Sequence, residues 1–138
     1  MENKIVDQGL MTVGAPNIWS QPPVGVEPAK WLESWQIYKV ISSKSPMENF
    51  GFHFIGYDIR CRQGAVSSKI DQFDPAMMRG VTRSGRIYQL VGMPGSDPDA
   101  QHTINGWIQV NQAVVQNATQ EFIQNYHVDL DRLSLLYL

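Results

Sequence analysis

The sequence predicts an α+β fold: a curled antiparallel sheet of about five strands, barrel-like in its curvature, with C-terminal helices packed on one face or end. Three observations predict this. Short runs rich in β-branched and aromatic residues fill positions 35–92, glycines interrupt several of them, and the strongest helix start follows them at Asp97. With 138 residues, 43% of them hydrophobic and 17% charged, the chain has the size and composition of one folded domain.

Residues 1–34 carry Pro16, Pro22, Pro23 and Pro28 without periodicity and read as an extended arm ahead of a single domain at 35–138. The arm holds Trp19 and Trp31, whose large apolar surfaces favour packing across the domain, onto a second copy, or onto a partner. "WQIYKVI", Trp35–Ile41, reads as the first strand, and "FGFHFIGY" as the second. In the second, Phe50, Phe52 and Phe54 share one face and His53 takes the other, which the pattern predicts to be the solvent side. "GAVSSKIDQF", Gly64–Phe73, is the third strand and ends at the turn signal Asp74-Pro75. "RGVTR" and "RIYQLVG" are the fourth and fifth, joined at Ser84-Gly85 as a two-residue hairpin. This glycine run is not a phosphate loop, because it leads into a strand and lacks the Gly-Lys-Ser/Thr ending.

Asp97 is then a fitting N-cap, Pro98 occupies the first helical position, and Ala100, Ile104, Trp107 and Ile108 form one apolar stripe. "NATQEFIQNY" predicts a second helix with Asn117 as N-cap, Gln120 completing a capping box, and Phe122, Ile123 and Tyr126 on one side. The ending "VDLDRLSLLYL" fits either a helical turn or a strand.

Cys61 is the only cysteine, no run approaches a membrane span, and the N-terminus lacks a signal-peptide pattern, so a reducing, cytoplasmic setting without membrane contact is expected. His53, His102 and His127 match no zinc spacing, and "DPD" and "DLD" do not continue into calcium loops. No nucleophile elbow is present, and strand alternation would bury Cys61 away from Arg60 and Arg62 as an inert thiol. The reading therefore names no catalytic residue, metal or cofactor.

The net charge of −2 conceals a basic middle: residues 60–86 carry six Lys/Arg against two acids, whereas residues 87–138 carry Arg132 against five acids. The candidate binding residues are Arg60, Arg62, Arg79, Arg83 and Arg86 with Tyr88, and Trp19 and Trp31 on the arm. Arginines and aromatic side chains suit a protein interface, and they also suit phosphate pairing and base stacking. The leading expectation is a non-catalytic protein that binds another protein or a second copy of itself. The alternatives are binding of a nucleotide or single-stranded nucleic acid through a basic sheet face, or an enzyme whose residues assemble from distant positions.

The block "GAVSSKIDQFDPAMMRGVTRSGRIYQLVGMPGSDPDA", followed by Trp107, resembles a family of small, uncharacterised bacterial proteins. The pattern is a "GxVSS" strand, "TxSGRxYxLxGxPG", "DxDA" and a tryptophan-bearing helix. It is carried here by Gly64, Val66, Ser67, Ser68, Thr82, Ser84, Gly85, Arg86, Tyr88, Leu90, Gly92, Pro94, Gly95, Asp97, Asp99, Ala100 and Trp107. The resemblance covers roughly residues 56–125 and omits the arm. It implies a bacterial or phage origin, as for accessory proteins of mobile elements, and a hairpin-to-helix core, with no activity to carry over.

Overall fold

The computed structural model describes residues 11–12, 27–44 and 50–136. Residues 1–10 and 13–26 of the proline-rich arm, Trp19 among them, residues 45–49 and the last two residues lie outside the described residues. Among the described residues, seven strands and three helices follow in the order β1 (Met11–Thr12), β2 (Lys30–Ser42), β3 (Gly51–Asp58), β4 (Gln63–Asp74), β5 (Arg79–Thr82), β6 (Ile87–Pro94), α1 (Pro98–Asn111), β7 (Val114–Asn117), α2 (Thr119–Asn125) and α3 (Leu130–Leu136).

β2 to β6 pair in chain order as an antiparallel meander, and β6 then runs parallel beside β2, closing the five strands into a ring. The closure is parallel because the first and fifth strands of a meander point the same way. β2 begins at Lys30, ahead of Trp35, because residues 30–33 pair with β6 on one edge and from Leu32 with β3 on the other. Ser34 takes a left-handed conformation (φ 49°) inside this strand, where both pairings shift register, so a bulge bends β2 as it rounds the barrel. β1 pairs with β4 at Phe73 and Gln72, and β7 pairs with the second half of β2.

Alternation along β3 divides the core in two. Phe54 faces the barrel interior with Leu32, Trp35, Ile70, Phe73, Tyr88 and Leu90. Ile55 faces outward and is covered by Ala100 and Ile104 of α1, with Trp107 and Ile108 against them. That cover reverses one expectation: His53, predicted to face solvent, is 1% exposed beneath Trp107, with ring centroids 5.3 Å apart, and its Nδ1 lies 2.8 Å from the Ser67 carbonyl. The "VSS" step of β4 has a local task. The Ser67 hydroxyl accepts the Phe54 N–H at 2.8 Å where the β3–β4 register slips, supplying a buried donor with the partner that the ladder withholds.

The Asp97 carboxylate accepts the Ala100 N–H at 3.0 Å, as expected of an N-cap. At α2 the cap residue is Ala118, one position later than expected, yet the Asn117 side chain still accepts the Thr119 N–H at 3.0 Å. The ambiguous ending forms helix α3, whose first turn is tied down by the Arg132 N–H donating to Asp129 at 3.0 Å. α2 and α3 close one end of the barrel. Phe122 meets Phe73 at 4.9 Å and Tyr126 at 4.6 Å between ring centroids, and Arg132 donates to the Ala76 carbonyl in the β4–β5 turn.

The β5–β6 hairpin differs from the two-residue expectation. Gly85 N–H donates to the Thr82 carbonyl at 2.8 Å and Thr82 N–H to the Arg86 carbonyl at 3.0 Å, leaving Arg83, Ser84 and Gly85 in the loop. Gly85 sits at φ 89° in open space. This is a turn followed by a left-handed residue, a geometry that glycine adopts without strain.

Candidate functional site: the basic rim of the barrel

Successive strands of a meander reverse direction, so the β3–β4 turn, the β5–β6 turn and the start of β2 all lie at the barrel end opposite α2 and α3. Backbone bonds fasten them together: Ile59 N–H donates to the Trp31 carbonyl at 2.9 Å, and Ala29 N–H to the Ile87 carbonyl at 2.9 Å. The rim therefore gathers Arg60 and Arg62 from one turn with Arg83 and Arg86 from the other, and all four are exposed. Arg60 pairs with Glu27 and lies over the Trp31 ring, 5.0 Å from its centroid. Arg83 lies 3.6 Å from the Asp71 carboxylate. Both pairs are solvated and contribute little to stability. Among the described residues, Arg62 makes no side-chain hydrogen bond or ion pair.

Two other candidates do not contribute to the rim surface. Arg79 starts β5 and so belongs to the opposite end; it is 8% exposed, and its Nε donates to Gln89 at 3.0 Å. Tyr88 points into the barrel at 2% exposure, and burial raises its phenol above the ordinary range against the opposing pull of Arg86 and Lys30. Neither offers a surface to a partner. Trp31 remains at the rim beneath Arg60, and Trp19 is outside the described residues.

The rim has a floor that sequence reasoning missed. Asp58 follows Phe54 and Gly56 in the inward alternation of β3 and is fully buried. Its Oδ2 meets the Lys30 ammonium at 3.0 Å, and its Oδ1 accepts the Arg60 N–H at 3.1 Å. Lys30 also reaches the Cys61 sulfur at 3.7 Å. Cys61 was expected to be buried on a strand, but it is exposed, because β3 ends at Asp58 and the cysteine lies in the turn. The signal for Asp58 was present in the spacing Phe52, Phe54, Gly56, Asp58, which carries a carboxylate onto the core face.

Burial alone would raise the Asp58 carboxyl, but hydrogen bonds from Lys30 and Cys61 outweigh it and hold the group below the usual carboxylate range. The hydrogen bond to Asp58 lifts Lys30 above the usual amine range against partial desolvation. A lowered carboxylate contributes stability above its unfolded pKa of about 3.9 and loses it as pH falls through the folded value. A raised amine contributes below its unfolded pKa of about 10.4 and loses it as pH rises through the folded value. The stability gap between wild type and Lys30→Met in urea unfolding should thus stay level from about pH 5 to pH 9 and shrink at both extremes. A gap independent of pH down to about pH 2 would mean that the pair does not support the rim.

No protein-family model, curated protein or solved structure matches this chain.

The rim's chemistry is that of charge recognition. It offers guanidinium groups on two turns held by a rigid ring, and none of the described aromatic side chains near them is fully exposed: Tyr88 is buried inside the barrel wall, and Trp31, beneath Arg60, and Tyr57, at the end of β3, are half-buried. Among the described residues no group of three His, Cys, Asp or Glu is close enough to hold a metal ion, and no helix is long and apolar enough to cross a membrane.

Proposed function

We infer that the protein is a non-catalytic binding module, a small accessory protein of bacterial or phage origin, whose arginine rim docks on an acidic surface of another protein. One observation carries this reading: strand alternation places Arg60, Arg62, Arg83 and Arg86 at one end of the barrel although they come from two separate turns. Arginine is the cation best suited to carboxylate recognition, through its planar bidentate fork. The absence of an exposed aromatic platform among the described rim residues favours an acidic protein over single-stranded nucleic acid, which gains much of its affinity by stacking. The exposed thiol of Cys61 suits a reducing cytoplasm.

Fluorescence anisotropy with two labelled probes, an oligo-glutamate peptide and an oligo-dT strand, tests this directly. The peptide should bind more tightly than the oligonucleotide, and Arg62→Glu with Arg86→Glu should weaken it by at least about tenfold. Binding should also fall steeply between about 50 and 200 mM salt. Preference for oligo-dT would transfer the rim to nucleic acid, and no binding of either probe at low salt would overturn the reading.

A further inference from the structure

A second site lies away from the rim, where β2 changes neighbours. On one edge β2 runs beside β6 as far as the Trp35–Pro94 pair, after which β6 leaves for α1; from Tyr38 the same edge is taken by β7 at Asn117. The parting leaves a crevice of about 590 Å³ lined by Gln36, Pro94, Gly95, Ser96, Asn117, Thr119 and Gln120. Its volume falls within the range of about 300–1,000 Å³ typical of small-molecule sites. The strained Ser34 bulge adjoins it, with its Cα 3.3 Å from where a Cβ on Gly95 would stand.

The lining is neutral throughout, which disfavours an ion. The β2 backbone in the gap is already bonded: Gly95 N–H donates to the Trp35 carbonyl at 3.0 Å, Ala118 N–H to the Ile37 carbonyl at 2.8 Å, and Ile37 N–H to the Thr119 hydroxyl at 3.0 Å. An added peptide strand would find no free main-chain partner among these β2 groups. Two amide side chains remain, each with its oxygen tied to the protein. Gln36 Oε1 accepts from Gln101 at 2.9 Å, and Asn117 Oδ1 accepts from the Thr119 hydroxyl at 2.7 Å. Their amide N–H groups have no acceptor among the described residues and stand in fixed orientation. Ser96 and Gln120 add adaptable donors and acceptors, and Pro94 adds an apolar wall.

We propose that this crevice binds a neutral saccharide, whose hydroxyl oxygens accept from Gln36 and Asn117 while Ser96 and Gln120 meet the neighbouring hydroxyls. A sugar matches the crevice because every hydroxyl both donates and accepts and the ring carries an apolar C–H face.

The test is an amide NMR titration of the full chain with maltose, with N,N′-diacetylchitobiose and with glucuronate. At least one disaccharide should give saturable shifts at Gly95, Ser96 and 117–120, with a Kd on the order of 1 mM, and glucuronate should bind at least about tenfold more weakly. Ser96→Ala and Gln120→Ala remove exposed side chains and should each weaken binding about three- to tenfold with the thermal midpoint unchanged. The proposal is overturned if neither disaccharide shifts these amides by about 100 mM, if glucuronate binds as well, or if the shifts survive both substitutions.

Discussion

Phe122→Ala is expected to cost about 3–5 kcal/mol, a large share of the stability of a domain this size. Phe122 is 0% exposed and stands where α2 closes the barrel, with Phe52, Phe54, Phe73 and Tyr126 around its ring at centroid distances from 4.6 to 6.5 Å. Truncation removes the buried surface and the edge-to-face contacts together, and three of the four surrounding rings, Phe52, Phe54 and Phe73, belong to strands locked in a closed ring, so they cannot collapse into the gap. Urea unfolding should show the loss as a lower midpoint at a similar slope. Gln120→Ala, on the exposed side of the same helix, should stay within about 0.5 kcal/mol of wild type. A loss below about 1 kcal/mol for Phe122→Ala would mean that α2 does not close the barrel.

Gly64→Ala and Gly106→Ala should move stability in opposite directions. A Cβ at Gly64 would stand 2.3 Å from the Asp99 carbonyl oxygen and 2.6 Å from the Thr103 hydroxyl, so α1 must shift off β4 to admit one methyl group. The expected cost is about 3 kcal/mol, the upper part of the overpacking range, because the obstacle is backbone and not the end of a flexible side chain. Gly106 is inside the same helix, and apart from its chain neighbours and the helix's own backbone nothing stands within 4 Å of its Cβ position, so alanine there should stabilise by about 0.5–1 kcal/mol. Equal effects in thermal unfolding would contradict the contact between α1 and β4. The close approach also explains why a glycine opens the "GAVSS" strand: it is the seat of the first helical turns.

Much of this architecture was legible because it is local. Asp97 before Pro98 announced α1, the stripe Ala100, Ile104, Trp107 and Ile108 placed its buried face, and the Phe52–Phe54 alternation marked β3. What escaped depends on distant pairing. Nothing within Lys30–Ser34 signals that β6, more than fifty residues later, will run parallel beside it and turn the end of the arm into barrel wall. The short β7 owes its existence to the free second half of β2. His53 was misplaced because period-two patterning tells which residues share a face but not whether a helix covers the other one. The rim arginines stood out by composition, whereas Arg79 and Tyr88 could be separated from them only by knowing at which end of the ring, and on which side of the wall, each falls. Gln36 carries no sequence signal, and Asn117 carries one only as a helix cap, since the free amide N–H groups depend on what holds the oxygens.

The arginine-bearing end of the barrel is the proposed docking surface. The most direct measurement maps an oligo-glutamate peptide onto the full chain by amide NMR at low salt. Shifts should concentrate at Ala29–Lys30, Ile59–Gln63 and Arg83–Arg86, be absent from α2 and α3, and be abolished by Arg62→Glu with Arg86→Glu. Shifts centred on the helices, or shifts at the rim that survive both charge reversals, would contradict it.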